Sequence, residues 1–192
     1  VFSSWKNGSI LVTDAGWGDN GKGKTVTALD AQVGVRTIGG HNAGHTVMAN
    51  LGTFGLGLVP CTIINHHALS IIGQEVVINP LFLVEEIRKL QQAGFIITPA
   101  NLVIDPRSHI VTPWHEIRDA LSEEARGKSA IGSLHLGVGW TYIDRVDRRG
   151  LRLTDLVAAD WKEKIKSESM RQEILIKEMA LRVKHITGSP SQ

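Results

Sequence analysis

Apolar and polar positions along this chain switch repeatedly between the period of a strand and that of a helix. Ser9-Ile-Leu-Val-Thr-Asp-Ala15 is a short β-type run ending in a glycine cluster, Gly16 to Gly23. Thr25 to Gln32 follows as a short helix. Val33 to Ile38 is a second strand and runs into another glycine cluster, Gly39 to His45. Thr46 to Pro60 has the pattern of a glycine-punctuated hairpin, and Leu69–Ile72 and Glu75–Ile78 are two further short strands around Gly73. Pro80 suits the first position of a helix, in which Leu83, Ile87 and Leu90 share one face and which Gly94 stops. Asn101–Ile104 is a strand bounded by Asp105-Pro106. Thr112 caps a helix that runs through Arg126 to a stop at Gly127. After a third glycine-bearing loop, Gly132 to Gly139, a short helix is expected from about Thr141 to Arg149. Asp160 is placed to cap a last long helix, in which Ile176, Met179, Ala180 and Val183 share a face. Gly188 to Gln192 is expected to fray. Strands alternating with helices predict an α/β fold with parallel strand pairs.

Composition narrows this further. The chain has 192 residues, enough for one domain with a sizeable core, at 42% apolar and 21% charged. Lys+Arg 21 against Asp+Glu 19 leaves +2, too little to argue for nucleic acid or membrane. Cys61 is alone, so no internal disulfide forms and a reducing, cytoplasmic setting fits. No apolar run reaches the ~20 residues of a membrane span, and the N-terminus lacks the pattern of a signal peptide. There is no Met start, as in a processed chain or a piece of a longer one. Glycine is the one departure, at 20 of the 192 residues, and these glycines cluster.

Gly18-Asp-Asn-Gly-Lys-Gly-Lys-Thr25 satisfies G-x-x-x-x-G-K-[ST] between a strand and a helix. Glycines let successive N–H groups converge on an anion, the helix start adds partial positive charge, and Lys22 and Lys24 neutralise phosphate. The alternative is a glycine-rich turn with two solvated lysines. Asp19 would repel a nucleotide unless it holds Mg²⁺ or takes a proton from the substrate; a local Asx turn is an equal alternative. The second loop, Gly39-Gly-His-Asn-Ala-Gly-His45, offers a backbone carbonyl at Gly40 and a titratable acid or donor at His41, which would serve equally as a structural group. His41 and His45 have the spacing of a zinc helix, but Asn42 stands where that motif needs Glu, and the glycines disfavour helix. His66, His67, His109 and His115 show no ligand pattern.

Taken together, these loops resemble the adenylosuccinate synthetase family. Trp17-Gly-Asp-Asn-Gly-Lys-Gly-Lys24 and Gly39-Gly-His-Asn-Ala-Gly-His-Thr46 match its first two motifs. Gly137-Val-Gly-Trp-Thr-Tyr-Ile-Asp-Arg-Val-Asp-Arg-Arg-Gly-Leu-Arg152 is similar to its Gly-x-Gly-Pro-x-Tyr…Lys…Arg-x-Gly-Leu-Arg signature. The pieces Ser70–Gly73, Val76–Pro80 and Ala130–Gly132 agree, so the resemblance runs from about Ile10 to Leu156. It implies a P-loop-like, mostly parallel central sheet flanked by helices, with a helical C-terminal segment. Residues 1–150 would form a nucleotide- and IMP-binding domain and 151–192 a helical extension. The implied reaction joins IMP to L-aspartate using GTP and Mg²⁺. Asp19 is then the base and His41 the acid or donor, and Asp19 and the Gly40 carbonyl hold Mg²⁺. Gly18, Asp19, Asn20, Gly21, Lys22, Gly23 and Lys24, with Gly40, His41 and Asn42, take GTP and the metal. Asp19 to Lys22 and Ile38, Gly39, Gly40 and His41 line the IMP side. Arg148 reaches the IMP phosphate of a neighbouring subunit, which implies a homodimer.

The sequence departs from the family at Asn20 for Glu, Ile38 for Gln, Leu134 for Thr, Leu136 for Arg and Trp140 for Pro. Leucine cannot donate to phosphate. Nothing here resembles the family's guanine-reading Thr-Lys-x-Asp segment or its Arg-rich aspartate loop, so the chain is expected to be its N-terminal part. Two alternatives stand beside a ligase. One is another P-loop hydrolase, with Asn101–Asp105 as its candidate Walker B strand. The other is a non-catalytic nucleotide-binding module.

Overall fold

The computed structural model describes residues 8–13, 15–16, 18 and 20–187. Asp14, Trp17, Asp19 and the segment after Thr187 lie outside the described residues. In chain order the elements are α1 (Lys22–Ala28), β1 (Val33–Arg36), β2 (His45–Ala49), β3 (Gly52–Leu56), β4 (Leu69–Ile72), α2 (Pro80–Gln92), β5 (Leu102–Ile104), α3 (Pro113–Arg126), α4 (Val138–Val146), α5 (Leu153–Leu156) and α6 (Trp161–Thr187). They form two compact units, one from 1–37, 43–73 and 81–105, the other from 38–42, 74–80 and 106–192.

The first unit is built on a parallel sheet in the order β1-β4-β5, with Val33 opposite Leu69 and Ser70 opposite Leu102. Alternate residues of the central strand, Ser70 and Ile72, are fully buried, the period-two pattern of a strand packed on one face. Buried Thr62 hydrogen-bonds Ser70 at 2.8 Å. Its side chain lies so close to β1 that a Cβ at Gly34 would sit 2.2 Å from Thr62 Oγ1. β2 and β3 form the expected antiparallel hairpin, and Phe54 meets Phe95 edge-on at 5.2 Å.

α2 follows its predicted bounds, with Leu83 and Leu90 buried, but its inner face also carries Glu86, which the apolar periodicity did not single out. The Glu86 carboxylate accepts the N–H groups of Gly57, Leu58 and Val59, the last two at 2.9 Å each. It thereby satisfies three consecutive backbone donors at the exit of the hairpin.

The second unit joins α3, α4, α5 and α6 to the segment Gln74–Pro80. Val76, Val77 and Ile78 are wholly buried. The strand expected there shrinks to single bridges, Gly39 to Val76 and Ile78 to Ile110, because each neighbour runs alongside for only one residue. The run from Ser9 likewise forms no regular element within the described residues 8–13 and 15–16. Two helices start earlier than their periodicity suggests. α1 begins at Lys22 and α4 at Val138, because Gly21 (φ 78°) and Gly137 (φ 67°) supply left-handed N-caps. α3 keeps its predicted limits, from the Thr112 cap to Gly127.

Gly137 has a second reason to be glycine. A Cβ there would lie 2.7 Å from the backbone carbon of His115 and 2.8 Å from the Glu116 nitrogen. Gly137→Ala therefore combines a left-handed penalty with overpacking against backbone and is expected to cost about 2–5 kcal/mol in urea denaturation. Gly139→Ala, two residues on in the same helix with nothing within 4 Å of the new Cβ, should be neutral or stabilise by up to ~1 kcal/mol. Equal effects of the two would contradict the packing described.

Candidate active site

In the first unit, the loop before α1 contains Gly18 at φ 104° and Gly21 at φ 78°, backbone conformations that suit glycine. Lys22, Gly23 and Lys24 form the first turn of α1. Gly23 is buried, and a Cβ there would meet the Thr46 carbonyl at 3.1 Å and Cys61 Sγ at 3.3 Å, so the helix start sits directly on β2 and the turn Cys61–Ile64. Lys24 and Asn20 are exposed. The expected base, Asp19, lies outside the described residues.

The second loop opens in the other unit. Ile38 is 68% exposed, whereas Gly40 and His41 are buried. Gly39, at φ 96°, has both backbone groups engaged: its carbonyl accepts from Val77 N–H at 2.9 Å, and its N–H donates to the Tyr142 phenol at 2.8 Å. Gly40 is pressed between Val138 and Val77, with Val138 Cγ2 2.8 Å from where a Cβ would be. His41 lies in a turn and His45 opens β2, so the two do not share a helix. Arg148 follows α4 in the left-handed region at φ 59°, its N–H bonded to the Arg145 carbonyl at 3.0 Å, and is exposed.

Asn42 and the third loop line a cavity of about 520 Å³ together with Asp119, Leu134, Leu136, Trp140 and Ile143. Three of the loop's N–H groups are committed to α3. Gly132 and Ser133 N–H donate to Glu123 at 2.8 and 3.1 Å, and Gly137 N–H donates to Asp119 at 3.0 Å. Burial opposes ionisation of Glu123, but those N–H groups and Arg126 hold its carboxyl below the ordinary range. Leu134, 69% exposed at this mouth, brings no donor.

Beneath the cavity lies a cluster that the sequence patterns did not single out. Asp144 of α4, 2% exposed, accepts from Arg118 at 2.8 Å, His115 Nε2 at 3.1 Å, Arg171 at 2.6 Å and Gln172 at 2.7 Å. Glu168 takes the other side of Arg171, and the Arg118 guanidinium lies 4.4 Å from the Trp140 ring centre. Thr112 N–H donates to His115 Nδ1 at 3.0 Å, which leaves the ring proton on Nε2, facing Asp144. Burial alone would raise the Asp144 carboxyl, yet the hydrogen bonds from His115, Arg171 and Arg118 hold it well below the usual carboxylate range. A sequence signal did exist. His115 and Arg118, and Glu168, Arg171 and Gln172, stand three or four apart on the inward faces of their helices, where apolar residues are the norm.

Among the described residues, no helix is long and apolar enough to cross a membrane. The family model of adenylosuccinate synthetase matches residues 11–189. The adenylosuccinate synthetase of Myxococcus xanthus is 44% identical over 154 residues, 79% of this chain and 35% of that protein. That of Clostridium botulinum strain Eklund 17B is 40% identical over 173 residues, 88% of this chain and 40% of that protein. Among solved structures, the fully ligated adenylosuccinate synthetase from Plasmodium falciparum matches with TM-score 0.75 and 26% identity, covering 90% of this chain and 42% of that one. The succinoaminodeoxyadenylate synthetase of cyanophage S-2L, bound to dGMP and dATP, matches with TM-score 0.52 and 27% identity over 69% of this chain and 36% of that one. The chain thus spans 35–40% of the length of these curated relatives. The parallel sheet flanked by helices and the helical C-terminal segment agree with that likeness, and the chain belongs to the adenylosuccinate synthetase family.

Proposed function

We propose that these residues serve a GTP-dependent ligase that joins IMP to L-aspartate, giving adenylosuccinate for AMP synthesis in the cytoplasm. The observation that carries this reading is a family match from 11 to 189 that runs through all three glycine loops. In this reading Asp19 takes the N1 proton of IMP, and O6 attacks the γ-phosphorus of GTP. The O6–P bond forms as the bond to the β-phosphate oxygen breaks, releasing GDP. His41 donates to the transferring phosphoryl oxygens, where charge develops. The aspartate amine then displaces phosphate from C6. Gly18 to Lys24 and Asn42 hold the GTP phosphates, Ile38 to His41 line the IMP side, and Arg148 serves the IMP phosphate of a second subunit in a homodimer. The Asp19 carboxylate and the Gly40 carbonyl would offer hard oxygen donors, the kind Mg²⁺ takes. Magnesium held there would neutralise phosphate charge.

A second reading, a nucleotide-binding module without turnover, is favoured by Leu134 and Leu136, which bring no phosphate donor to the cavity. Calorimetric titration of the 192-residue chain with GTP, ATP and IMP, with and without Mg²⁺, beside a coupled ligase assay, tests both readings. The expected result is Mg²⁺-dependent binding of GTP with little preference over ATP, weak binding of IMP, and no ligation by this chain by itself. No binding of either nucleoside triphosphate would sink the proposal. Within an active synthetase, Asp19→Asn is expected to lower the rate by at least the ~10²–10⁴-fold typical of a lost general base. A change of only a few-fold would reduce Asp19 to a turn residue.

A further inference from the structure

Helix α4 does more in the second unit than pack. Three of its residues, each about one turn from the next, act on the two segments Ile38–Asn42 and Gln74–Pro80. Val138 fills the space that any side chain at Gly40 would need. Tyr142 accepts the Gly39 N–H at 2.8 Å, and its own hydroxyl donates to the Glu75 carbonyl at 2.7 Å, with the Gly39 carbonyl also in reach at 3.2 Å. Arg145 donates to the Gln74 carbonyl at 3.0 Å and pairs with the Glu75 carboxylate. The Gly39 carbonyl is itself held by Val77 N–H. A single phenol oxygen therefore ties both segments to the helix, and the Gly39 peptide cannot rotate without breaking its bond to that oxygen. His41 is only two residues further along the chain.

We propose that Tyr142 is the positioning residue of the second glycine loop: its phenol fixes the Gly39 peptide and, through it, the Gly40 carbonyl and the His41 imidazole. The functional weight of this assignment rests on the role proposed above for His41. The geometric part does not. Glycine at 39 and 40 is needed for backbone shape and close approach, and it leaves those two positions without a side chain to hold them. A hydrogen-bonded tyrosine one layer below supplies the missing rigidity at little entropic cost, since the ring is already packed in the helix.

Tyr142→Phe removes one oxygen and keeps the ring. In the 192-residue chain, the imidazole resonances of His41, identified by their loss in His41→Asn, should shift. Hydrogen exchange at the Gly39 and Val77 amides should quicken about tenfold, the scale of one lost hydrogen bond. The signals of exposed His66, His67 and His185 should stay in place. A general loss of stability would instead quicken exchange evenly through α3, α4 and α6 and leave the native His41 signal where it was. Either that even pattern or an unmoved His41 signal overturns the assignment. Titration of the parent chain with Mg²⁺ and GTP decides the functional reading separately, so the His41 signal judges Tyr142 whichever way that titration falls.

Discussion

Asp144→Ala is expected to cost about 3–5 kcal/mol, the range for removing one partner of a buried ion pair. Asp144 and Glu168 together balance Arg118 and Arg171, and Gln172 bonds Arg118, Asp144 and Glu168. Alanine leaves the Arg118 guanidinium, 4% exposed, without its carboxylate and removes the acceptor of His115 Nε2–H. For a chain of this size the melting temperature should fall by roughly 6–20 °C. The acid limb of stability should change with it. Because the folded-state pKa of Asp144 lies below its unfolded value of about 3.9, the carboxylate's contribution is fully present above that value and is lost as pH falls through the folded-state pKa. The parent should therefore lose stability steeply below about pH 4, and Asp144→Asn should flatten that limb. A loss under ~1 kcal/mol for Asp144→Ala would mean that water already serves these groups.

Glu86→Ala should be comparably severe, at about 3–5 kcal/mol, since each buried donor left unpaired costs ~1–3 kcal/mol. Here three such donors, Gly57, Leu58 and Val59 N–H, share one carboxylate, and Leu58 and Val59 are fully buried. Glu86→Gln keeps one carbonyl acceptor and should recover part of the loss. Urea denaturation gives the size of the effect. Hydrogen exchange gives its location, which should be the amides of residues 57–59. Protection unchanged at those three amides would show that Glu86 is not their acceptor in solution.

Both carboxylates show what the sequence could and could not yield. Apolar periodicity located α2, and cap chemistry fixed α3 from Thr112 to Gly127, because both signals are local. Three separated glycine motifs pointed to the family, because each asks for backbone shapes few other residues allow. The buried polar cluster was missed because its members look solvated one at a time. Arg118 and Arg171 become core residues only when Asp144, from a different helix, arrives between them. The strand expected at Glu75–Ile78 failed for a related reason. Its apolar run is buried, but pairing needs a neighbour of equal length, and Gly39 and Ile110 each supply a single residue. Helix starts at Lys22 and Val138 were misplaced because a left-handed glycine opened each helix before its apolar rhythm began.

The ionic cluster also imposes an order in time on a chain made from its N-terminus. Arg118 and His115 are synthesised before Asp144, but Arg171 comes 27 residues after it. A ribosome adding roughly 5–20 residues per second takes about 1–5 s to cover that stretch. During those seconds Asp144 has only half of its partners and keeps its hydration, so α3 and α4 meet without a sealed centre. The second unit closes only once Glu168, Arg171 and Gln172 have emerged, and a nascent chain that stalls before them leaves the inner faces of two helices open to whatever chaperone or protease is near.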